Sequence, residues 1–142
     1  MTALVGLLIA LPAAWWDVRA RRVPNWLTAG GLAAALVLRA AEGTMGAGLA
    51  GALYLGVPFL LLWCLFGGVG AGDVKLAAAL GAALGPCVGR DAVLAGLLAA
   101  LAWALVVRMA SRDKAPLPLA PFLAGGVVFA VLQGACQERG WL

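Results

Sequence analysis

Long apolar stretches separated by short polar or glycine-rich joints run the length of this 142-residue chain. Six stretches fall at roughly 1–17, 26–41, 46–66, 73–89, 91–108 and 118–136. Each is predicted to be a helix, because sustained apolar runs of this length with few charges are spanning segments rather than strands. Several are shorter than the roughly 20 residues that cross a hydrocarbon core of about 30 Å, a mismatch that little tilt or locally thinned lipid accommodates. No low-complexity linker or internal repeat interrupts the series. The expectation is one transmembrane domain over 1–142: an all-α integral membrane protein built as a bundle of about six helices. Pro12 and Pro58 are predicted to kink their helices. Gly81 and Gly85, one helical turn apart, are read as packing residues that let neighbouring backbones approach.

Composition turns this pattern into a statement about solvent. Hydrophobic residues make up 65% of the chain and charged residues 11%, with a mean hydropathy of +1.04. Soluble domains carry about 25% charged residues and about 45–50% apolar ones. A chain this small cannot hide so much apolar surface from water, so a lipid bilayer is its expected surrounding. The apolar start Met1–Trp16 lacks the basic segment of a cleavable signal peptide and is kept as the first helix. The three cysteines, Cys64, Cys87 and Cys136, form no CxxC pair and are read as buried small hydrophobes. Histidine is absent, which removes Ser/His/Asp and Cys/His catalysis and the usual zinc ligands.

The net charge of +4 is spread out, with no dense basic block, so it carries topology rather than a nucleic-acid surface. Arg19, Arg21, Arg22, Lys75, Arg108, Arg112 and Lys114 belong to alternate joints on one side, against Arg39, Arg90 and Arg139 on the other. Seven against three assigns the first set to the cytoplasm and the N-terminus to the outside. Trp15, Trp16 and Trp26 flank the same cytoplasmic joint, as an interfacial aromatic belt does.

Four of the six acids, Glu42, Asp91, Asp113 and Glu138, fall in predicted joints or the tail. Asp17 and Asp73 do not. Asp17 follows sixteen residues of the first helix, about 24 Å of rise, which puts it at the inner rim of the hydrocarbon. Arg90, taken as the outer end of the fourth helix, puts Asp73 about 25 Å back, in the same layer. Gly67-Gly68-Val69-Gly70-Ala71-Gly72 precedes Asp73, and glycines at such density allow unusual backbone conformations and close approach of another chain. Two carboxylates brought together there share a proton, one acting as base toward water and the other as acid toward a carbonyl. Proton-coupled transport fits intramembrane acids equally well on physical grounds, so a transporter or channel component stays open at this point, as does a non-catalytic subunit of a membrane machine.

Gly70-Ala71-Gly72-Asp73, continuing Val74-Lys75-Leu76, resembles the GxGD motif of the type IV prepilin peptidases. Asp17-Val18-Arg19, followed by Arg21-Arg22-Val23-Pro24-Asn25, is similar to that family's first aspartate motif, where an Asp ending the first helix precedes a basic segment and a Pro-Asn turn. Pro116–Phe122 with Leu123-Ala124-Gly125 resembles the family's segment near the last helix. The resemblance implies a membrane aspartic endopeptidase that needs no metal or cofactor. Asp17 and Asp73 would be its catalytic dyad, with Gly70, Gly72, Lys75, Pro24 and Asn25 supporting them. It implies prepilin or pseudopilin precursors as substrates, their basic leader cleaved at the cytoplasmic face, and a multi-pass location in the inner membrane of a prokaryote. Paired CxxC motifs of the larger, methylating members are not among these residues, which resembles the short form associated with Tad/Flp pili. Lys75, two residues after Asp73, points about 160° away from it on a helix and is expected to snorkel to headgroups. Pro24-Asn25 is expected to form the turn that starts helix 2.

Overall fold

The computed structural model describes residues 2–20, 23–66, 70–110 and 119–138, with side chains over 4–20, 23–65, 70–107 and 119–133. These residues form six helices: α1 (Thr2–Ala20), α2 (Asn25–Ala41), α3 (Met45–Phe66), α4 (Ala71–Leu84), α5 (Pro86–Ala110) and α6 (Ala120–Glu138). The all-α expectation therefore holds. Among the described residues, two stretches, Met45–Leu65 and Pro86–Val107, are long and apolar enough by length and composition to cross a membrane.

α4 is the central helix. It packs against α1, α2, α3 and α5, and from Leu76 to Leu84 every residue except Ala78 is buried. A helix that is apolar on all sides belongs in an interior. Its neighbours reach it through small residues. A Cβ on Gly51 of α3 would fall on the Gly81 carbonyl of α4, and one on Gly81 would fall on the Gly51 carbonyl. The same device joins α5 to α6, where a Cβ on Gly126 would meet the Ala92 carbonyl and one on Gly96 would lie 2.7 Å from the Phe122 carbonyl. Among the described residues, twelve of the twenty-one buried apolar residues are alanine, while Leu, Val and Trp side chains crowd the outside. Small residues inside and large apolar ones outside invert the arrangement expected in water and suit helices packed in lipid.

The boundary between the fourth and fifth helices departs from expectation. The break predicted at Arg90 lies instead at Gly85, whose φ of +80° ends α4 and is a conformation that favours glycine. Pro86 then opens α5, at the first-turn position where its missing N–H costs nothing. Gly85 is thus a helix terminator as well as a packing residue, since a Cβ on Gly51 of α3 would stand 2.9 Å from the Gly85 carbonyl carbon. Arg90 and Asp91 pair with each other at 2.9 Å on the exposed face of α5, so their charge marks a surface and not a joint. The depth inferred for Asp73 from Arg90 falls with that boundary: only eleven residues separate Asp73 from the end of α4, about 17 Å of rise. Arg39, read from sequence as a topology charge, bends over the end of α4 instead. Its Nε and Nη2 donate to the Ala82 and Ala83 carbonyls at 3.3 and 2.9 Å, closing two of the open acceptors of a helix C-terminus.

The cysteine expectation is also corrected: Cys64 and Cys87 are exposed, because an apolar side chain in this bundle has no need to face inward. The Cys136 side chain lies outside the described residues, as do Arg21, Arg22, Gly67, Gly68, Arg112, Asp113 and Lys114.

Candidate active site

Four helix ends converge at one end of the bundle. α1 ends there, α2, α4 and α6 begin there, and a cavity of about 470 Å³ lies among the first three. Asp17 of α1 contributes one wall; Val23, Pro24 and Asn25 at the start of α2 contribute the second; Gly70, Ala71, Gly72 and Asp73 at the start of α4 contribute the third. All seven residues singled out in the sequence are therefore neighbours. Six line this cavity, and the seventh, Lys75, donates from Nζ to the Asn25 Oδ1 at 2.9 Å.

Each acid is held by backbone amide. Asp17 is 8% exposed, and its Oδ2 accepts the N–H of Ala120, the first residue of α6, at 3.1 Å. Asp17 sits in the last turn of α1, where the helix dipole opposes a negative charge. The start of α6 supplies the compensating positive end. Asp73 occupies the first turn of α4, and its Oδ2 accepts the N–H of Gly70, the residue before that helix, at 3.2 Å. This is the reciprocal half of a capping box. Both carboxylates thus sit at helix N-termini with a fixed oxygen each, and both line the same cavity.

The glycines act here through space rather than conformation. Gly70 has φ −73° and ψ 145°, extended backbone open to any residue, which replaces the expectation of special geometry at this position. A Cβ on Gly70 would stand 3.2 Å from the Asp73 Oδ2, and one on Gly72 would stand 3.5 Å from the Val23 Cβ. Gly70 keeps the carboxylate uncrowded, whereas a methyl on Gly72 would make only ordinary contact with Val23.

Pro24 is the N-cap of α2, as the Pro-Asn turn predicts, and Thr28 closes that turn by donating from Oγ1 to the Asn25 carbonyl at 3.2 Å. Trp16 and Trp26 meet edge to face, 6.1 Å between ring centres, and the Arg19 guanidinium lies 4.4 Å over the Trp15 ring. The first contact ties the end of α1 to the start of α2, and the second lies within the last turns of α1. Lys75 does not simply reach for headgroups, because its ammonium is bonded to α2. Two participants were not anticipated: Ala120, and the Lys75–Asn25 bond.

The bundle and its cavity define an all-helical protein with an apolar exterior and a pair of carboxylates on separate helices at one end. Residues 3–109, a range that includes Asp17 and Asp73, match the type IV leader peptidase family, and the chain belongs to that family. It is 42% identical over 96 residues to the prepilin leader peptidase/N-methyltransferase of Bacillus subtilis (strain 168), an overlap that covers 65% of this chain and 36% of that protein. It is 42% identical over 79 residues to the prepilin leader peptidase/N-methyltransferase of Burkholderia pseudomallei (strain 1026b), covering 48% of this chain and 26% of that protein. The matched region thus spans roughly a quarter to a third of those curated relatives. No solved structure matches the chain.

Proposed function

We propose that this chain is a membrane-embedded aspartic endopeptidase that removes the leader of prepilin-like precursors, with Asp17 and Asp73 as its catalytic pair. The observation that carries this reading is the shared cavity. Two carboxylates on different helices face one space, each with one oxygen held by a backbone N–H. In such a pair one carboxyl is protonated and the other ionised. The ionised member takes a proton from water as the water oxygen attacks the scissile carbonyl carbon, and the protonated member gives its proton to the carbonyl oxygen. Collapse of the tetrahedral intermediate breaks the C–N bond as the proton first taken from water passes to the leaving amine. One hydroxyl of the gem-diol returns its proton to the carboxylate that acted as acid, which leaves a new carboxyl group and restores the starting pair. No metal or cofactor enters this sequence of steps.

The remaining residues support the pair. Gly70 leaves room beside Asp73, Pro24 and Asn25 form the facing wall, and Lys75 holds Asn25 in place. All six helices take part in a bundle that spans the inner membrane of a prokaryote. The N-terminus is outside and the acid-bearing end cytoplasmic, a reading supported by the seven-to-three distribution of basic residues. The substrates in this reading are Flp/Tad-type prepilins or pseudopilins with basic leaders.

The test is cleavage by the protein reconstituted in lipid vesicles with a prepilin-type precursor. Wild type is expected to release the leader, and Asp17→Asn and Asp73→Asn each to lose that activity while remaining folded. Proton flux without cleavage would overturn the peptidase reading in favour of transport.

A further inference from the structure

Two helices outrun the layer in which the acids lie. Gly126 lies against Ala92, and Gly96 against Phe122 and Leu123, so α5 and α6 run antiparallel. That register puts Ala120, whose N–H holds Asp17, level with Leu98 and Ala99 of α5. α5 continues past this level to Ala110, and Ala99 to Val107 alone is about 12 Å of rise. The other acid gives the same layer. Gly51 lies against Gly81 and Gly56 against Ala78, which puts Asp73 level with Leu61 of α3. α3 then runs on to Phe66, about 8 Å further. Both overhangs are apolar: Leu62, Trp63 and Leu65 of α3 are exposed, and Leu101, Trp103, Leu105 and Val106 of α5 are each more than half exposed. The helix ends level with the acids carry exposed polar side chains instead, Arg19 on α1, Asn25 on α2 and Lys75 on α4. The apolar belt of the bundle therefore has a step, high along α3 and α5 and low where the acids are.

Resting on the membrane placement proposed above, we propose that this step is a lipid-fitting surface. The leaflet on the acid side keeps its ordinary depth along α3 and α5 and thins along α1 and α2 down to the acid cavity. The high side is set by α5, whose apolar stretch Pro86–Val107 has 22 residues, about 33 Å of rise and close to a hydrocarbon core of about 30 Å. Hydrocarbon, rather than a second protein chain, suits its overhang. Leu101, Ala102 and Trp103 are consecutive and all exposed, and consecutive helical residues point about 100° apart. A partner chain covers one face of a helix, whereas acyl chains surround it. The low side is set by the polar ends. Drawing Arg19 and Lys75 under a leaflet of full depth costs more than thinning that leaflet locally. The thinned lipid leaves the two carboxylates open to water beside helices whose apolar side chains continue past them.

The experiment measures depth in dioleoyl phosphatidylcholine vesicles. In the full chain with Cys64, Cys87 and Cys136 changed to Ser, a nitroxide is attached at Ala29→Cys or at Ala102→Cys, both exposed positions. Collisions with oxygen, which concentrates in hydrocarbon, and with a nickel chelate, which stays in water, report the depth of each label. Ala29 lies one turn inward from Asn25, and Ala102 lies three residues outward from the acid layer. A flat boundary at any height therefore puts position 29 about 10 Å deeper than position 102. The step is expected to abolish or reverse that order, with position 102 in hydrocarbon and at least as deep as position 29.

Position 29 deeper by about 10 Å overturns the proposal. So does a label at position 102 shielded from both probes, since a second copy or another protein then covers the overhang. Neither readout needs cleavage, so the two readings fail separately. The reversed depth order in a protein that cuts no precursor keeps the step and removes the peptidase. The flat order in a protein that cuts its precursor removes the step alone.

Discussion

Asp17 holds the start of α6 in this structure and is proposed to be one of the catalytic pair, and two substitutions pull these roles apart. Its Oδ2 accepts the Ala120 N–H at 3.1 Å, with Asp17 8% and Ala120 0% exposed. Asp17→Ala leaves that N–H buried with no acceptor, which costs about 1–3 kcal/mol. Loss of the charge at the start of α6 adds little, because the same charge sits unfavourably in the last turn of α1 and the two dipole effects, each about 0.3–1 kcal/mol, oppose. Asp17→Asn keeps the shape and a carbonyl oxygen in the same place, so the N–H stays satisfied, and stability is expected to change by less than about 1 kcal/mol. Neither variant can take a proton from water. Both are expected to lose leader cleavage by roughly 10²–10⁴-fold, the usual worth of a positioned acid or base. The measurements are unfolding in detergent micelles and cleavage in vesicles on the same preparations. If Asn destabilises as much as Ala, the hydrogen bond to α6 is not what Asp17 contributes to the fold. If Asp17→Asn cleaves at the wild-type rate, Asp17 leaves the catalytic pair.

Three further outcomes follow from the packing. Arg39→Met keeps the aliphatic stem but drops both donations to the end of α4, and a loss of about 1.5–3 kcal/mol is expected in the same unfolding assay. Partial recovery in Arg39→Lys would show that charge at the helix end matters, while a change below about 0.5 kcal/mol would contradict the cap. Gly81→Ala forces α3 and α4 apart, since the new methyl meets the Gly51 carbonyl, and is expected to destabilise by about 1–3 kcal/mol. Gly125→Ala, with nothing within 4 Å, is expected to be neutral or stabilising by up to about 1 kcal/mol; equal losses in the two would mean that the crossing is not set by glycine. A double-mutant cycle of Asn25→Ala and Lys75→Met is expected to return a coupling of about 0.5–1.5 kcal/mol for the α2–α4 bond, and additive effects would remove that bond from the site's scaffold.

What the sequence made legible, and what it hid, divides along a physical line. In a bundle whose exterior is as apolar as this one, side-chain hydrophobicity says little about burial, which is why Cys64 and Cys87 could be read as interior and lie outside. Charge reports depth and sidedness but not where a helix stops. Arg90 and Asp91 looked like a joint and are an ion pair on the outer face of α5, whereas Leu84-Gly85-Pro86 carried the true stop in backbone terms, a residue free to take positive φ followed by one that opens a helix without its N–H. Asp17, Asp73 and the Pro24-Asn25 turn were visible because local chain chemistry defines them. The group that holds Asp17 was not, because Ala120 lies 103 residues away and an alanine N–H has no signature. Lys75 was misread for a related reason: its angle from Asp73 on one helix is correct, but the partner that matters is on another. A reading confined to single helices finds the acids, and the helix ends that surround them are brought together by contacts between helices, of α1 with α6 and α4 and of α2 with α1 and α4.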